Sequence, residues 1–140
     1  MSILAFDFGL KRTGVAIGNT LTGLATPLCT LNSIDNHPDW TGIGALIKEW
    51  QPQTLVVGIP YLLDGKSSEM TVKAEKFSRQ LAGRYALPVD TINEQLSSLE
   101  AEQRLKSSRQ AGRKKKIKKE EIDQLAAAII LESWILENAE

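Results

Sequence analysis

Apolar positions set the rhythm of this chain, and the rhythm changes twice. Ile3 to Phe8 is a short apolar run closed by Gly9, the pattern of a buried strand. Gly9 to Arg12 has the composition of a turn, and Thr13 to Asn19, with Val15 and Ile17, makes a second strand. Gly23 to Leu31 makes a third. No helix fits between these three segments, so they are expected to pair as an antiparallel meander.

Beyond Asp39 the period lengthens. Trp40, Ile43, Ile47 and Trp50 recur at helical spacing with Asp39 placed to cap them. Leu55 to Ile59 is a β-branched run ended by Pro60, read as a buried parallel strand. Ser67 to Tyr85 is expected to be helical, with Val72, Phe77 and Leu81 among its apolar positions, and Pro88 to Asn93 to be the last strand. Ser97-Ser98-Leu99-Glu100 has capping-box spacing for a short helix to about Lys106. Ser107 to Ile117 reads as a basic loop, and Lys118 to Asn138 as a long helix whose apolar face comprises Ile122, Leu125, Ala126, Ile129, Ser133 and Leu136. The order β-β-β-α-β-α-β-α-α describes an α/β chain with a five-stranded mixed sheet flanked by helices. At 140 residues, with no repeat, low-complexity tract or linker, residues 1–140 are expected to form a single domain.

Charge changes this picture more than composition does. Basic and acidic residues balance at 17 each. Nine of the 17 basic residues nonetheless fall between Arg104 and Lys119 with no acid among them, so a strongly basic segment sits on a mildly acidic body. Such a segment is either a solvated loop or a local phosphate-binding stretch. The single cysteine, Cys29, excludes an internal disulfide and suits a reducing compartment, and no apolar run reaches the roughly 18 residues of a membrane span. With no signal-peptide pattern at the start, a cytoplasmic protein without a membrane partner is expected.

Three acids stand where acids are costly. Asp7 interrupts the first strand between Phe6 and Phe8, where a charge needs a partner. Glu94 closes the last strand, at the strand end where ligands gather in open α/β sheets. Asp123 lies in the first turns of the last helix. Singly, each has a structural use: a turn cap, a strand-end acceptor, a charge favouring a helix start. Converged, they would repel one another unless cations neutralise them, and oxygen-only ligation suits Mg²⁺ or Mn²⁺. Two such ions roughly 4 Å apart catalyse phosphodiester hydrolysis.

Four blocks then resemble, in order, the YqgF or RuvX-like family. They are Leu4-Ala5-Phe6-Asp7-Phe8-Gly9-Leu10-Lys11-Arg12-Thr13-Gly14-Val15-Ala16; Val57-Gly58-Ile59-Pro60 followed by Asp64-Gly65; Asn93-Glu94-Gln95-Leu96-Ser97-Ser98-Leu99-Glu100-Ala101; and Asp123-Gln124-Leu125-Ala126-Ala127-Ala128-Ile129-Ile130-Leu131. The resemblance covers nearly the whole chain. It implies an RNase H-like fold, whose element order is the one read above, and a hydrolase that cleaves phosphodiester bonds in structured RNA such as pre-16S rRNA, in ribosome biogenesis, or in branched DNA as a Holliday junction resolvase. It also implies Asp7, Glu94 and Asp123 as catalytic metal ligands for Mg²⁺ or Mn²⁺. Lys11 and Arg12 fall beside the first acid, where they would hold a phosphate or simply form an exposed hairpin turn. Arg113, Lys114, Lys115, Lys116, Lys118 and Lys119 are the matching candidates for steering a nucleic-acid backbone.

One block departs from the family's usual Asp-Glu-Arg, reading Asn93-Glu94-Gln95. If the missing arginine touches phosphate, Gln95 forfeits a charge-assisted contact; if the flanking acid and arginine pair with each other, losing both is nearly neutral. That departure keeps a binding module with weak catalysis, acting in ribosome maturation or transcription, as an alternative. Symmetric junction cleavage would need a two-fold dimer, for which the edge of the third strand is the candidate surface; otherwise a monomer or weak homodimer is expected.

The remaining signals are discounted. Asp7-Phe8-Gly9 lacks every other kinase motif. His37 has no zinc-ligand spacing with Cys29 and reads as a surface residue, Cys29 as core packing, and Trp40, Trp50 and Trp134 as packing anchors.

Overall fold

The computed structural model describes residues 2–62, 64–94 and 118–138, with Gln103 between them. Its sheet contains β1 (Ser2–Asp7), β2 (Arg12–Asn19), β3 (Leu24–Asn32), β4 (Thr54–Ile59) and β5 (Val89–Asn93). The strands lie in the order β3-β2-β1-β4-β5. β1, β2 and β3 form the antiparallel meander, whereas β4 pairs parallel to β1, and β5 parallel to β4. Helices α1 (Trp40–Trp50) and α2 (Glu69–Tyr85) precede β4 and β5, and α3 (Lys119–Asn138) ends the chain. The short helix and basic loop expected over Ser97–Ile117 lie outside the described residues, except that Gln103 is helical.

Local chemistry explains the helix boundaries. Asp39 caps α1 by accepting from the Gly42 amide at 2.9 Å. Ser68 and Thr71 form a reciprocal capping box at the start of α2. The Thr71 hydroxyl also donates to the Pro60 carbonyl, tying α2 to the end of β4.

The strand period of two sorts side chains into two cores. Leu4, Phe6, Val15, Leu55 and Val57 face α1 and α2, where they meet Ile43, Ala74, Phe77 and Leu81. Ile3, Ala5, Ala16, Val56 and Ile92 face α3, where they meet Ala127, Ile130 and Leu131. The sheet is thus sandwiched between helix layers.

Two sequence expectations are corrected. Helix α3 does not present a single stripe: it is buried continuously from Ala126 to Leu131, and Ile135 rather than Leu136 turns inward, with Leu136 78% exposed. The run of alanines lets α3 lie close to β2, so residues beside the stripe are buried too. Val72 projects outward from α2, 58% exposed. Cys29 is half-buried against the α1–α2 core, and Trp40 packs on Phe77 at 5.6 Å. His37 is exposed.

Candidate active site

Alternation along β1 places Asp7 on the same face as Ile3 and Ala5, which is the α3 face. The same count along β5 puts Glu94 on the face of Ile92. The Glu94 backbone continues the ladder, its amide donating to the Ile59 carbonyl at 3.1 Å. Asp7 and Glu94 end neighbouring regions of the sheet at the carboxyl ends of parallel strands, and their side chains are hydrogen-bonded to each other. Two carboxyl groups that close share a proton or need a cation between them. Asp7 is accordingly held well above the usual carboxylate range, first by burial, then by the Glu94 charge and hydrogen bond, and then by Asp123.

Asp123 reaches this edge through a close approach of helix to strand. Gly14, opposite Asp7 in the β1–β2 ladder, has no side chain, and a Cβ there would stand 2.0 Å from the Asp123 carbonyl oxygen. The second turn of α3, at Asp123 and Gln124, therefore rests directly on the β2 backbone. The Thr30 hydroxyl adds a hydrogen bond to the Glu120 carbonyl at 2.7 Å, and the Lys118 amide donates to the Glu121 carboxylate. Gly58 plays the corresponding part for Glu94: a Cβ at Gly58 would lie 2.7 Å from Glu94 Cγ and 2.5 Å from Ile130 Cδ1. A glycine inside a strand marks this kind of approach, so Gly14 and Gly58 carry the sequence signal that motif reading passes over.

Arg12 is the other residue whose role the sequence left open. Its Nε donates to Asp123 Oδ2 at 2.7 Å, an ion pair with both side chains partly exposed. Arg12, Gly14 and Ala16 alternate on one face of β2, so the guanidinium arrives on the acid side of the sheet. Lys11 is exposed in the turn between β1 and β2, whose backbone is braced by Ser33, with the Ser33 hydroxyl bonding the Leu10 carbonyl at 2.8 Å.

The structure thus brings Asp7 and Glu94 into contact and sets Asp123 near enough to oppose the ionisation of Asp7, with Arg12 clasping it. Among the described residues no three His, Cys, Asp or Glu side chains stand together as a ready metal cluster. Asn93 pairs with Ile59 and is exposed; Gln95 is outside the described residues. Lys118 and Lys119 lie at the start of α3, beside Asp123's turn, and Lys118 is exposed. Arg113, Lys114, Lys115 and Lys116 lie outside the described residues. Among the described residues no helix is long and apolar enough to cross a membrane.

Relatives share both the sequence and the fold. A protein from Pseudomonas fluorescens strain Pf-5, named "Putative pre-16S rRNA nuclease", is 46% identical over 98% of this chain and 93% of its own length. One of the same name from Pseudomonas paraeruginosa is 44% identical over 97% of this chain and 92% of its own length. Among solved structures, Thermus thermophilus RuvC in complex with a Holliday junction substrate aligns with a TM-score of 0.54 at 16% identity, over 98% of this chain and 94% of that one. The fowlpox virus resolvase in complex with junction DNA aligns with a TM-score of 0.56 at 13% identity over the whole of both chains. These likenesses establish the RNase H-like fold of the RuvC-type resolvases. The model of the RuvX family, described as Holliday junction resolvase, matches residues 1–137, and the chain belongs to that family.

Proposed function

We propose that this chain is a metal-dependent nuclease hydrolysing phosphodiester bonds in structured RNA, and that its substrate is the pre-16S rRNA for which its relatives are named. The observation that carries the reading is the contact between two carboxyl groups, Asp7 at the end of β1 and Glu94 just past the end of β5, the two strands that flank β4 and run parallel to it, with a third acid beside them. An all-oxygen donor set that is electrostatically unfavourable when empty of cations fits Mg²⁺ or Mn²⁺. Asp7 and Glu94 would hold the metal, joined by Asp123 when it exchanges Arg12 for the cation. Bound there, such ions supply the positive charge that activates water and stabilises the leaving oxygen in phosphodiester hydrolysis.

The chain's own residues do the rest. Asp7 is fixed by the β1 ladder, and Glu94 by the backbone bond to Ile59, so neither carboxylate must be ordered on binding. Arg12 holds Asp123 in place until charge on the substrate or a cation competes for it. Lys11, Lys118 and Lys119, with Arg113 to Lys116, would hold backbone phosphates at this edge. The Asn93 and Gln95 amides supply no charge for that task. The chain would act as a monomer or weak homodimer in the cytoplasm.

The test is cleavage of an end-labelled pre-16S 5′ leader with Mg²⁺ or Mn²⁺ by the wild type and Asp7→Asn. Cleavage by the wild type alone, with Asp7→Asn still folded and still binding RNA, supports the assignment. Equal cleavage by both removes Asp7 from the site. RNA binding without turnover in any divalent metal turns the reading to a binding module. The family's description and the solved complexes favour junction DNA as a second substrate. Paired symmetric incisions by a two-fold dimer would establish that reading, and a strict monomer on junction DNA would remove it.

A further inference from the structure

A groove opens on the other side of β1 from the acids. Phe8 follows Asp7 directly, and where Asp7 faces α3, Phe8 turns toward α2 and stacks on Phe77 at 4.8 Å. Beside it lies a cavity of about 400 Å³, a volume within the range of small-ligand sites. Its apolar wall is Phe8, Leu10 and Pro38, and its basic wall is Lys73 and Lys76. Among the described residues no carboxylate lines it.

The walls are built rather than incidental. Lys73 and Lys76 stand three apart on α2, on one helical face, and both are exposed. Leu10 is 52% exposed yet held in a braced turn by the bond from Ser33 to its carbonyl. Opposite, Ile34 and His37 exchange both backbone hydrogen bonds around Asp35 and Asn36, each with positive φ. That two-residue turn presents Asn36 and His37 to the cavity, and Gln80 of α2 adds a second amide. A flat aromatic platform, an exposed aliphatic side chain, two amides with donors and acceptors, and two ammonium groups together match one ligand class. A nucleotide has an apolar face, a polar edge and an anionic phosphate.

We propose that this groove takes one nucleotide of the strand bound at Asp7, with its base against Phe8, Leu10 and Pro38 and its phosphate between Lys73 and Lys76. The proposal rests on the nuclease reading, since it extends the strand's path from the acidic edge around the end of β1 onto α2. It makes α2 part of the nucleic-acid interface and gives the enzyme a contact that reads an unpaired base.

Fluorescence anisotropy with a labelled single-stranded RNA 12-mer, in chelator and at several salt concentrations, tests it. The Lys73→Gln/Lys76→Gln chain is expected to bind about tenfold more weakly. Its salt slope should be shallower by about 0.7, the share of the one single-strand phosphate that the two lysines no longer neutralise. Leu10→Ser should lose affinity severalfold with the slope unchanged, because it removes an apolar surface for the base and no charge. Lys48→Gln, in the last turn of α1, is the control for general loss of positive charge and should match the wild type. All four residues are exposed, so thermal melts should coincide. Binding of Lys73→Gln/Lys76→Gln and Leu10→Ser within twofold of the wild type would overturn the groove assignment while leaving the nuclease reading intact. Failure of the wild type to bind this RNA or a four-way DNA junction would instead bring down the nuclease reading, and the groove with it.

Discussion

At the scale of single residues, the acidic edge is a balance of charges awaiting a cation. Asp7 contacts Glu94 and feels Asp123, so its negative charge is a liability in the metal-free protein. Asp7→Asn is expected to raise the melting temperature in chelator by a few degrees, roughly what 1 kcal/mol delivers in a chain of this size. Added Mn²⁺ should stabilise the wild type and leave Asp7→Asn unmoved, a readout independent of cleavage. Destabilisation of Asp7→Asn in chelator would show that the carboxylate serves structure instead. Arg12 gives a second prediction. Because it occupies Asp123, Arg12→Ala should tighten Mn²⁺ binding by two- to fivefold in calorimetric titration, the reach of about 0.5–1 kcal/mol for a partly exposed ion pair. Unchanged Mn²⁺ affinity with weakened RNA binding would mean that Arg12 serves phosphate alone. Asp7 is visible in the sequence because a charge inside an apolar strand stands out, and Glu94 and Asp123 by their places at a strand end and near a helix start. The partner of Arg12 is not, since Asp123 lies 111 positions away and meets it only through the packing of α3 on β2.

Elements are held in register by contacts just as specific. The second turn of α3 lies on the bare backbone of Gly14, and nothing flexible there can move aside. Gly14→Ala should cost about 3 kcal/mol, at the upper end for an overpacked contact, and lower the melting temperature by about 10 °C. It should also lower cleavage at temperatures where the chain is folded, because Asp123 retreats with its helix. On the opposite face, the Tyr85 hydroxyl donates to the Trp40 carbonyl at 2.9 Å and ties the end of α2 to the start of α1. Burial raises the Tyr85 pKa; Arg84 opposes this, and Asp39 adds to the rise. With the folded value above the unfolded one, the contribution is complete below about pH 10 and is lost as pH climbs through the folded value. Tyr85→Phe should therefore cost about 1 kcal/mol near neutrality by chemical denaturation. Its difference from the wild type should shrink above pH 10; a constant difference would remove the tyrosinate from the account. Most element limits are legible in the sequence to within a residue or two, since caps such as Asp39 and the apolar runs are local. The Asp35-Asn36 turn is missed because two acid-amide residues in a polar loop carry no apolar period to mark it.

Across the whole molecule, a formal charge of zero conceals a division between a basic segment and an acidic remainder. Binding to single-stranded RNA is expected to depend steeply on salt despite that zero, because counterion release follows the phosphates neutralised locally. Replacing Arg113, Lys114, Lys115 and Lys116 with glutamine should flatten the log–log slope by up to about 3. An unchanged slope would place the phosphate contacts elsewhere, with Lys73 and Lys76 the next residues to test.

The sequence alone determined the alternation of strands and helices, the antiparallel meander followed by parallel crossovers, and the three acids as costly residues in need of a reason. These features are local: period, capping and turn chemistry act over a few residues, and four ordered blocks mark the family. Only the tertiary structure decided which acids touch, that Arg12 clasps Asp123, that Gly14 and Gly58 admit the approaching chain, and that a basic, apolar groove opens beside Phe8. Those depend on strand register and on how closely a helix can approach a sheet, quantities fixed by packing between residues remote in sequence.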